Sequence, residues 1–235
     1  MELTTGLACR RLDFQWPGNA ASQQMVLSSV TATFDPGAVS LVTGDTGTGK
    51  STLLHLLAGL LHPTAGEVWA DGQPVSRWPA VHRDPWRQQV GIVFQHLALI
   101  PDLSVAENLL LPLLPRKMAW SHMQNQIRRQ LATADLLELA QTPTRNLSGG
   151  QRQRLAVARA MVATPRFILA DEPTAFQDDH HADQIIAQLH ALAQNGVTVV
   201  VCSQDPRLKR SAMVDQHYHL SSGQLAIPSA NREST

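Results

Sequence analysis

The chain has 235 residues, 43% of them hydrophobic, which suffices for an apolar core in one or two domains and excludes disorder as the main state. Lys plus Arg and Asp plus Glu each number 19, so the net charge is zero and no nucleic-acid partner is expected. Cys9 and Cys202 are the only cysteines, which excludes a disulfide framework and indicates a reducing compartment.

Neither the first residues nor the most apolar stretch has the pattern of a membrane segment. Residues 1–10 lack the basic start and apolar run of a signal peptide. Residues 97–114 are interrupted by Pro101, two acidic residues and Asn108, whereas a spanning helix needs about 18 apolar residues or more. We therefore expect that this chain does not cross a membrane.

The first half of the chain alternates strand patterns with turn signals and one helix pattern. Strands are predicted over residues 11–16, 26–34, 39–43, 67–69 and 90–94. Pro17-Gly18-Asn19 and residues 35–37 are the turn signals between the first three strands. A helix is predicted over residues 50–60, where leucines cover a broad face.

The second half contains more helix. Residues 97–140 carry leucines at helical spacing and predict a helical insertion, and a further helix is predicted over residues 151–163. Strands over 167–170 and 197–201 flank a helix over 181–194. Strands that alternate with crossover helices predict an α/β fold with a mostly parallel sheet. The polar residues 227–235 are predicted to be a flexible tail.

One glycine-rich segment has the pattern of a phosphate-binding loop. Gly44-Asp45-Thr46-Gly47-Thr48-Gly49-Lys50-Ser51 lies between a predicted strand and a predicted helix, where backbone N–H groups and the helix N-terminus favour triphosphate oxygens. We expect Lys50 to reach the β- and γ-phosphates, Ser51 to ligate Mg²⁺, and Thr52 to contact the nucleotide. The alternative is a glycine-rich turn with an accidental lysine.

The apolar strand over residues 167–170 ends in two carboxylates, Asp171 and Glu172. An aspartate at a strand tip beside a phosphate loop can hold Mg²⁺, and the following glutamate can accept a proton from an attacking water. The pair could instead cap a helix. Pro173-Thr174 follows it rather than a clear helix pattern, which favours the first interpretation.

A third motif, Leu147-Ser148-Gly149-Gly150-Gln151, precedes a helix pattern and is by itself an ordinary helix cap. Together with the phosphate loop and the carboxylate strand, in this order and spacing, it resembles the nucleotide-binding subunits of ABC transporters, whose signature sequence it matches. The resemblance extends over residues 12–225. It implies a P-loop NTPase core with an N-terminal antiparallel β subdomain, forming one ABC ATPase domain over residues 1–226 with a helical subdomain at about 97–163.

The resemblance also implies that ATP and Mg²⁺ bind between two such subunits paired head to tail. The signature residues of one chain would contact the γ-phosphate held by the phosphate loop of the other. Gln95 matches the glutamine that approaches magnesium and joins the core to the helical subdomain. Trp16 matches an aromatic residue that stacks on adenine, with Phe14 as the competing candidate and a core or turn role as the alternative for Trp16.

Two segments depart from the family pattern. Gln204 stands where the family usually has a histidine that contacts the γ-phosphate and the attacking water. Its amide can donate a hydrogen bond but cannot take up a proton at neutral pH, so any role that needs a charged imidazole is lost. We expect Glu172 still to support hydrolysis, more slowly than in relatives with the histidine. Residues 175–178 read Ala-Phe-Gln-Asp where the family usually has Ser-Ala-Leu-Asp at the dimer interface, which bears on communication between the two ATP sites.

Two further side-chain groups carry weaker signals. His180 and His181 stand beside acidic residues, and we interpret them as part of a solvated loop rather than a metal cluster. The helix after the signature carries three arginines that we interpret as a solvated face: Arg152, Arg154 and Arg159.

Residues 100–114 resemble, more weakly, subunits of lipoprotein-release and macrolide-export systems. This implies an ATP-hydrolysing subunit that drives export or extraction of a lipoprotein, lipid or drug through ATP-dependent dimerisation. The implied partners are integral membrane permease subunits in separate chains and a second ATPase subunit, itself or a paralogue, at the cytoplasmic face of the inner membrane. Two alternatives stay open: a weakly or non-hydrolysing regulatory subunit of an asymmetric pair, and a soluble ABC ATPase outside transport.

Overall fold

The computed structural model describes residues 5–17 and 25–227, so most of the first turn signal and of the predicted tail lies outside the described residues. Its first sheet is antiparallel, with strand order β2-β1-β4. The strands are β1 (Leu7–Gln15), β2 (Met25–Phe34) and β4 (Ala65–Ala70). β1 begins at Leu7 rather than at residue 11, because its first residues pair with β2 and β4 although they lack an alternating pattern.

The second sheet has six strands in the order β5-β6-β7-β3-β8-β9 and confirms the prediction of a mostly parallel sheet. The strands are β3 (Val39–Thr43), β5 (Val90–Val93), β6 (Phe167–Asp171), β7 (Thr198–Cys202), β8 (Gln216–Ser221) and β9 (Gln224–Ala226). Of these six described strands, β9 alone pairs antiparallel, with β8. β6 and β7 are buried along their whole length, which explains their continuous apolar sequences.

The neighbouring strands β6, β7 and β3 run in the same direction, so their carboxyl ends lie side by side. The segments that follow these three strands therefore meet at one edge of the sheet. This edge is where ligands bind in open α/β sheets.

Seven helices occur in the part of the chain that the structure describes. They are α1 (Lys50–Leu57), α2 (Ala80–Arg87), α3 (Val105–Leu110), α4 (Trp120–Thr133), α5 (Gly149–Met161), α6 (Asp179–Gln194) and α7 (Pro206–Arg210). α1 is shorter than predicted, because Gly59 adopts a φ of +66° just after its end. The sequence pattern does not predict α2, since this helix contains Pro85 and buries only Trp86.

Among the described residues, the buried side chains form three apolar clusters. The first fills the space between the antiparallel sheet, α1 and one face of the parallel sheet, and the second covers the other face beneath α5 and α6. The third joins α3, α4 and α5, which follow β5 and precede β6 in the chain. Within residues 5–17 and 25–227, no helix combines the length and the apolar character that a bilayer span requires.

Two expectations for surface side chains are wrong. His180 and His181 lie in the first turn of α6 rather than in a loop, because Asp178 caps this helix by accepting the His181 N–H at 2.9 Å. The arginines of α5 are not a solvated face, because each donates to backbone carbonyl oxygens that lie within reach of the helix. Arg152 donates to Leu147, Arg154 to Ala134, and Arg159 to Leu97 and Ala98.

Candidate functional site

A cavity of about 790 Å³ lies at the carboxyl ends of β6 and β7, beside the loop between β3 and α1. Most of the expected site residues line it: Trp16, Thr46, Gly47, Thr48, Gly49, Lys50, Ser51, Thr52, Gln95, Asp171, Glu172 and Gln204. Gly44 and Asp45 contribute backbone carbonyl oxygens that contact Lys50. The signature residues 148–151 do not line this cavity.

The loop before α1 contains glycines in the left-handed region of backbone conformation. Gly47 and Gly49 adopt φ values of +82° and +103°, which side chains rarely allow. Gly49 is the N-cap of α1, and a Cβ there would lie 3.1 Å from the side chains of Val26 and Leu27. Glycine at this position therefore lets the start of the helix pack closely against β2.

Lys50 supplies the positive charge of this loop. Its side chain is folded back, and Nζ donates to the carbonyl oxygens of Gly44 at 2.6 Å and Asp45 at 2.8 Å. An ammonium group has three donors, so these two bonds leave one for an oxygen in the cavity. The carbonyls thereby hold the cation at the base of the loop.

Asp171 ends β6 and is only 5% exposed. Burial raises the pKa of its carboxyl, while a hydrogen bond with the Ser51 side chain and the nearby Lys50 charge act in the opposite direction. A carboxylate and a hydroxyl are oxygen ligands of the kind that Mg²⁺ prefers, and a cation would favour the ionised form of a buried acid. Ser51 and Asp171 thus fit a magnesium ion, and Gln95 lines the same cavity.

Glu172 is held by the segment that follows β7. Its carboxylate accepts the Ser203 hydroxyl at 2.6 Å and the Gln204 N–H at 3.1 Å, and its own N–H donates to the Cys202 carbonyl at 2.8 Å. The backbone of Glu172 has a φ of +47°, a strained conformation that persists only where the surroundings hold it.

The side chain of Gln204 contacts the phosphate loop rather than Glu172. Its Nε2 donates to the Gly44 carbonyl at 2.8 Å, which is the oxygen that also accepts a bond from Lys50. The Gln204 side chain, which stands in place of the expected histidine, therefore connects the segment after β7 with the loop.

The geometry separates the two aromatic candidates for base stacking. Trp16 is half exposed and lines the cavity, whereas Phe14 is buried in the first apolar cluster. The two rings meet edge to face, with centroids 5.0 Å apart. Trp16 is thus the ring that a base can reach, and Phe14 supports it from the core.

The signature segment caps α5 and connects to the carboxylate strand within the chain. Ser148 accepts the Gln151 N–H at 3.2 Å, and the Gln151 side chain accepts the Ser148 N–H at 2.8 Å, forming a capping box. Gln153 is buried, and its amide donates to the carbonyls of Glu172 at 3.1 Å and Pro173 at 2.9 Å. The predicted residues did not include Gln153, because no pattern marks a buried glutamine.

Four further residues line the cavity without belonging to any predicted motif: Met25, Val26, Ser222 and Gly223. Gly223 follows β8 with a φ of +73°, and a Cβ there would lie 2.8 Å from the Val26 carbonyl. A Ser-Gly dipeptide is typical of a turn, but the packing of β9 against β2 is what brings this turn to the site.

A family model described as ABC transporter matches residues 27–175, which is more than half of the chain. The chain belongs to the ABC transporter family. A similar ABC protein is the lipoprotein-releasing system ATP-binding protein LolD 2 of Rhodopirellula baltica. It is 34% identical over 214 residues, covering 88% of this chain and 83% of the relative.

Solved ABC cassettes share this fold. The dimeric structure of MJ0796, a bacterial ABC transporter cassette, matches with a TM-score of 0.87 and 29% identity over 93% of this chain and 96% of the cassette. A post-hydrolysis dimer of MJ0796 bound to ADP and Pi matches with the same TM-score and identity over 94% of this chain and 98% of that cassette. CbiO1 of Clostridium perfringens, part of the cbiONQ complex, matches with a TM-score of 0.80 and 24% identity over 95% of this chain and 88% of CbiO1. At this identity the match supports the fold alone.

Proposed function

We propose that this ABC cassette binds ATP with Mg²⁺ in the 790 Å³ cavity and hydrolyses it as the ATPase subunit of a membrane transporter. The observation that carries the proposal is the placement of Lys50, Asp171 and Glu172 around one cavity. A cation at the base of a phosphate loop, a buried carboxylate beside a hydroxyl, and a second carboxylate held at a strand end together match the needs of phosphoryl transfer to water.

Binding of the nucleotide uses the loop over residues 44–52. Its backbone N–H groups surround the phosphates, and Lys50 turns its remaining donor to a phosphate oxygen. Trp16 stacks on adenine, an interaction worth about 1–3 kcal/mol by analogy with other base–aromatic contacts. The half exposure of this ring supports the role.

Ser51, Asp171 and Gln95 are the residues that would hold Mg²⁺. When bound, the ion neutralises charge on the phosphate oxygens. The burial of the Asp171 carboxyl beside the Ser51 hydroxyl supports the assignment, because a divalent cation would offset the cost of a buried carboxylate.

Glu172 accepts the proton of the attacking water as a general base. Glu172 lines the cavity, and two donors from the segment after β7 hold its carboxylate. Gln204 contributes an amide N–H donor but cannot take up a proton, so the proton transfer rests on Glu172 alone.

The test is the ATPase rate of Glu172→Gln in the transporter assembled with its membrane partner. We expect turnover to fall by about 10²–10⁴-fold, because the amide cannot accept the proton, while ATP affinity is retained. Glu138→Gln, at an exposed position outside the cavity, is the matched control and should leave the rate unchanged. Unchanged turnover in Glu172→Gln would instead favour a non-hydrolysing regulatory subunit.

Two ATPase subunits pair head to tail in this proposal. The signature residues lie outside the cavity of their own chain, which supports a second subunit as their source. The domain assignment is part of the same proposal: residues 1–226 form one ABC ATPase domain, with residues 97–163 as its helical subdomain.

The transporter exports or extracts a lipoprotein, lipid or drug, and the cassette sits at the cytoplasmic face of the inner membrane on integral permease subunits. The name of the relative LolD 2, from a lipoprotein-releasing system, supports this class of substrate. Purification in detergent should recover the cassette with an integral membrane protein. Recovery with ribosomes or DNA instead would support a soluble ABC ATPase.

A further inference from the structure

We propose that Ser203 is a positioning residue for Glu172, whose buried hydroxyl sets the orientation in which the carboxylate meets the attacking water. The inference rests on the proposed function, because it concerns the glutamate assigned as the general base. It adds a residue that lies outside the three sequence motifs of the site.

The Ser203 hydroxyl is held between one donor and one acceptor. Its side chain is fully buried just after β7. Oγ donates to Glu172 Oε2 at 2.6 Å and accepts the Asp205 N–H at 3.0 Å. A hydroxyl has a single proton, and the Asp205 contact uses a lone pair, so the proton is committed to the carboxylate.

Ser203 is itself anchored on two sides. Its N–H donates to the Val42 carbonyl of β3 at 3.1 Å. Asp205, which fixes the hydroxyl, accepts bonds from the Thr174 hydroxyl at 2.5 Å and from Arg207 Nε at 3.0 Å. The hydroxyl therefore has a fixed position relative to both the central sheet and the segment after Glu172.

Within residues 5–17 and 25–227, the hydrogen bonds to the Glu172 carboxylate come from Ser203 and Gln204. The Gln204 N–H approaches Oε1 at 3.1 Å and Oε2 at 3.4 Å, and the Ser203 hydroxyl makes the shortest contact. Without that hydroxyl, one longer backbone contact has to hold both oxygens. A displacement of about 1 Å at a reacting group can cost roughly 10²-fold in rate, so loss of the hydroxyl reaches catalysis through Glu172.

The experiment compares Ser203→Ala, Ser203→Cys and Ser203→Thr in the assembled transporter, measuring kcat and KM for ATP. We expect Ser203→Ala to lower kcat by about 10-fold with KM unchanged, because the lost interaction orients the base and does not bind the nucleotide. Ser203→Cys nearly keeps the side-chain volume but has only a weak donor, so it should also lower kcat by about 10-fold. It takes the place of Ser203→Ala if the alanine variant does not fold. Ser203→Thr keeps the hydroxyl and should retain the kcat of the parent chain.

The matched control is Ser40→Ala. Ser40 is also fully buried, and its hydroxyl donates to Gln216 Oε1 at 2.8 Å, away from the cavity. Its kcat should equal that of the parent chain even where its melting temperature falls. A Ser203→Ala kcat within twofold of the parent, beside a large loss in Glu172→Gln, would overturn this inference and leave the proposed function standing. Equal rates for the parent and Glu172→Gln would overturn both.

Discussion

The Gln204 side chain contacts the phosphate loop from the position where the family usually has a histidine. Its amide donates to the Gly44 carbonyl at 2.8 Å and supplies no titratable proton. We predict that Gln204→His raises ATP turnover of the assembled transporter by roughly 10-fold, because an imidazole can contact the γ-phosphate and exchange a proton with the attacking water. This gain is smaller than the ~10²–10⁴-fold expected of the general base. Steady-state phosphate release measures it.

Gln224→His is the matched control for that change. Gln224 is exposed on β9 and lies outside the cavity, so a histidine there should leave turnover unchanged. If Gln204→His and the parent chain hydrolyse ATP at the same rate, the replacement of the family histidine is neutral in this protein.

The sequence predicts the residues of the site that belong to local motifs, since their roles follow from short spacing. Lys50 and Ser51 follow the glycines of one loop, and Asp171 and Glu172 follow one strand. Ser203 and Gln153 could not be found in this way, because their contacts with Glu172 arise from the pairing of β6 with β7 and the packing of α5. A serine after a strand or a glutamine in a helix has no distinguishing spacing.

At the scale of elements, Asp205 joins the segment after β6 to the helix after β7. It caps α7 by accepting the Arg207 N–H at 2.9 Å, and its Oδ2 accepts the Thr174 hydroxyl at 2.5 Å. Burial raises the pKa of the Asp205 carboxyl, but the bonds from Arg207 and Thr174 lower it by more, so the net pKa is lowered. The ionised carboxylate therefore stabilises the fold.

We predict that Asp205→Asn lowers the free energy of unfolding by about 2 kcal/mol at pH 7, the scale of a hydrogen bond to a charged group. The folded-state pKa lies below the unfolded value, so this stabilisation is complete above the unfolded pKa and is lost as pH falls through the folded pKa. The difference between variant and parent should thus narrow below about pH 4. Urea unfolding at a series of pH values measures both quantities.

Asp179→Asn is the control for this prediction. Asp179 contacts the same Arg207, but its side chain is 91% exposed, so its loss should change stability by less than about 1 kcal/mol. An equal loss in both variants would show that Arg207, rather than the capping carboxylate, carries the stabilisation.

For the whole molecule, hydrophobic patterning predicts the fold class but not the sheet order. The runs over β6 and β7 indicate buried parallel strands, yet nothing in them specifies that β3 lies between β7 and β8. These pairings join residues far apart in the chain, such as Leu41 with Val201, and are selected by the packing of all helices together. α2 is missed for the same reason, since Trp86 is buried only because the fold brings it to Gly59.

The separation of the signature from the cavity gives a prediction for the assembly. Gly149 begins α5, and a Cβ there would have the Phe176 Cβ at 4.0 Å, an ordinary contact. An aspartate at this position also suits a helix N-terminus, by about 0.3–1 kcal/mol. We predict that Gly149→Asp leaves the single chain folded but abolishes ATP-driven pairing, because its carboxylate would face the γ-phosphate held by the second chain.

Size-exclusion chromatography of Glu172→Gln with ATP measures this pairing, since slow hydrolysis should preserve the dimer. Adding Gly149→Asp to that chain should return it to the monomer position. Ala80→Asp also introduces an aspartate at the first residue of a helix, at the exposed start of α2 outside the cavity, and should leave the dimer intact. A dimer that persists in Gly149→Asp would mean that the two chains do not meet through the signature, because a carboxylate buried against a phosphate without a cation costs several kcal/mol.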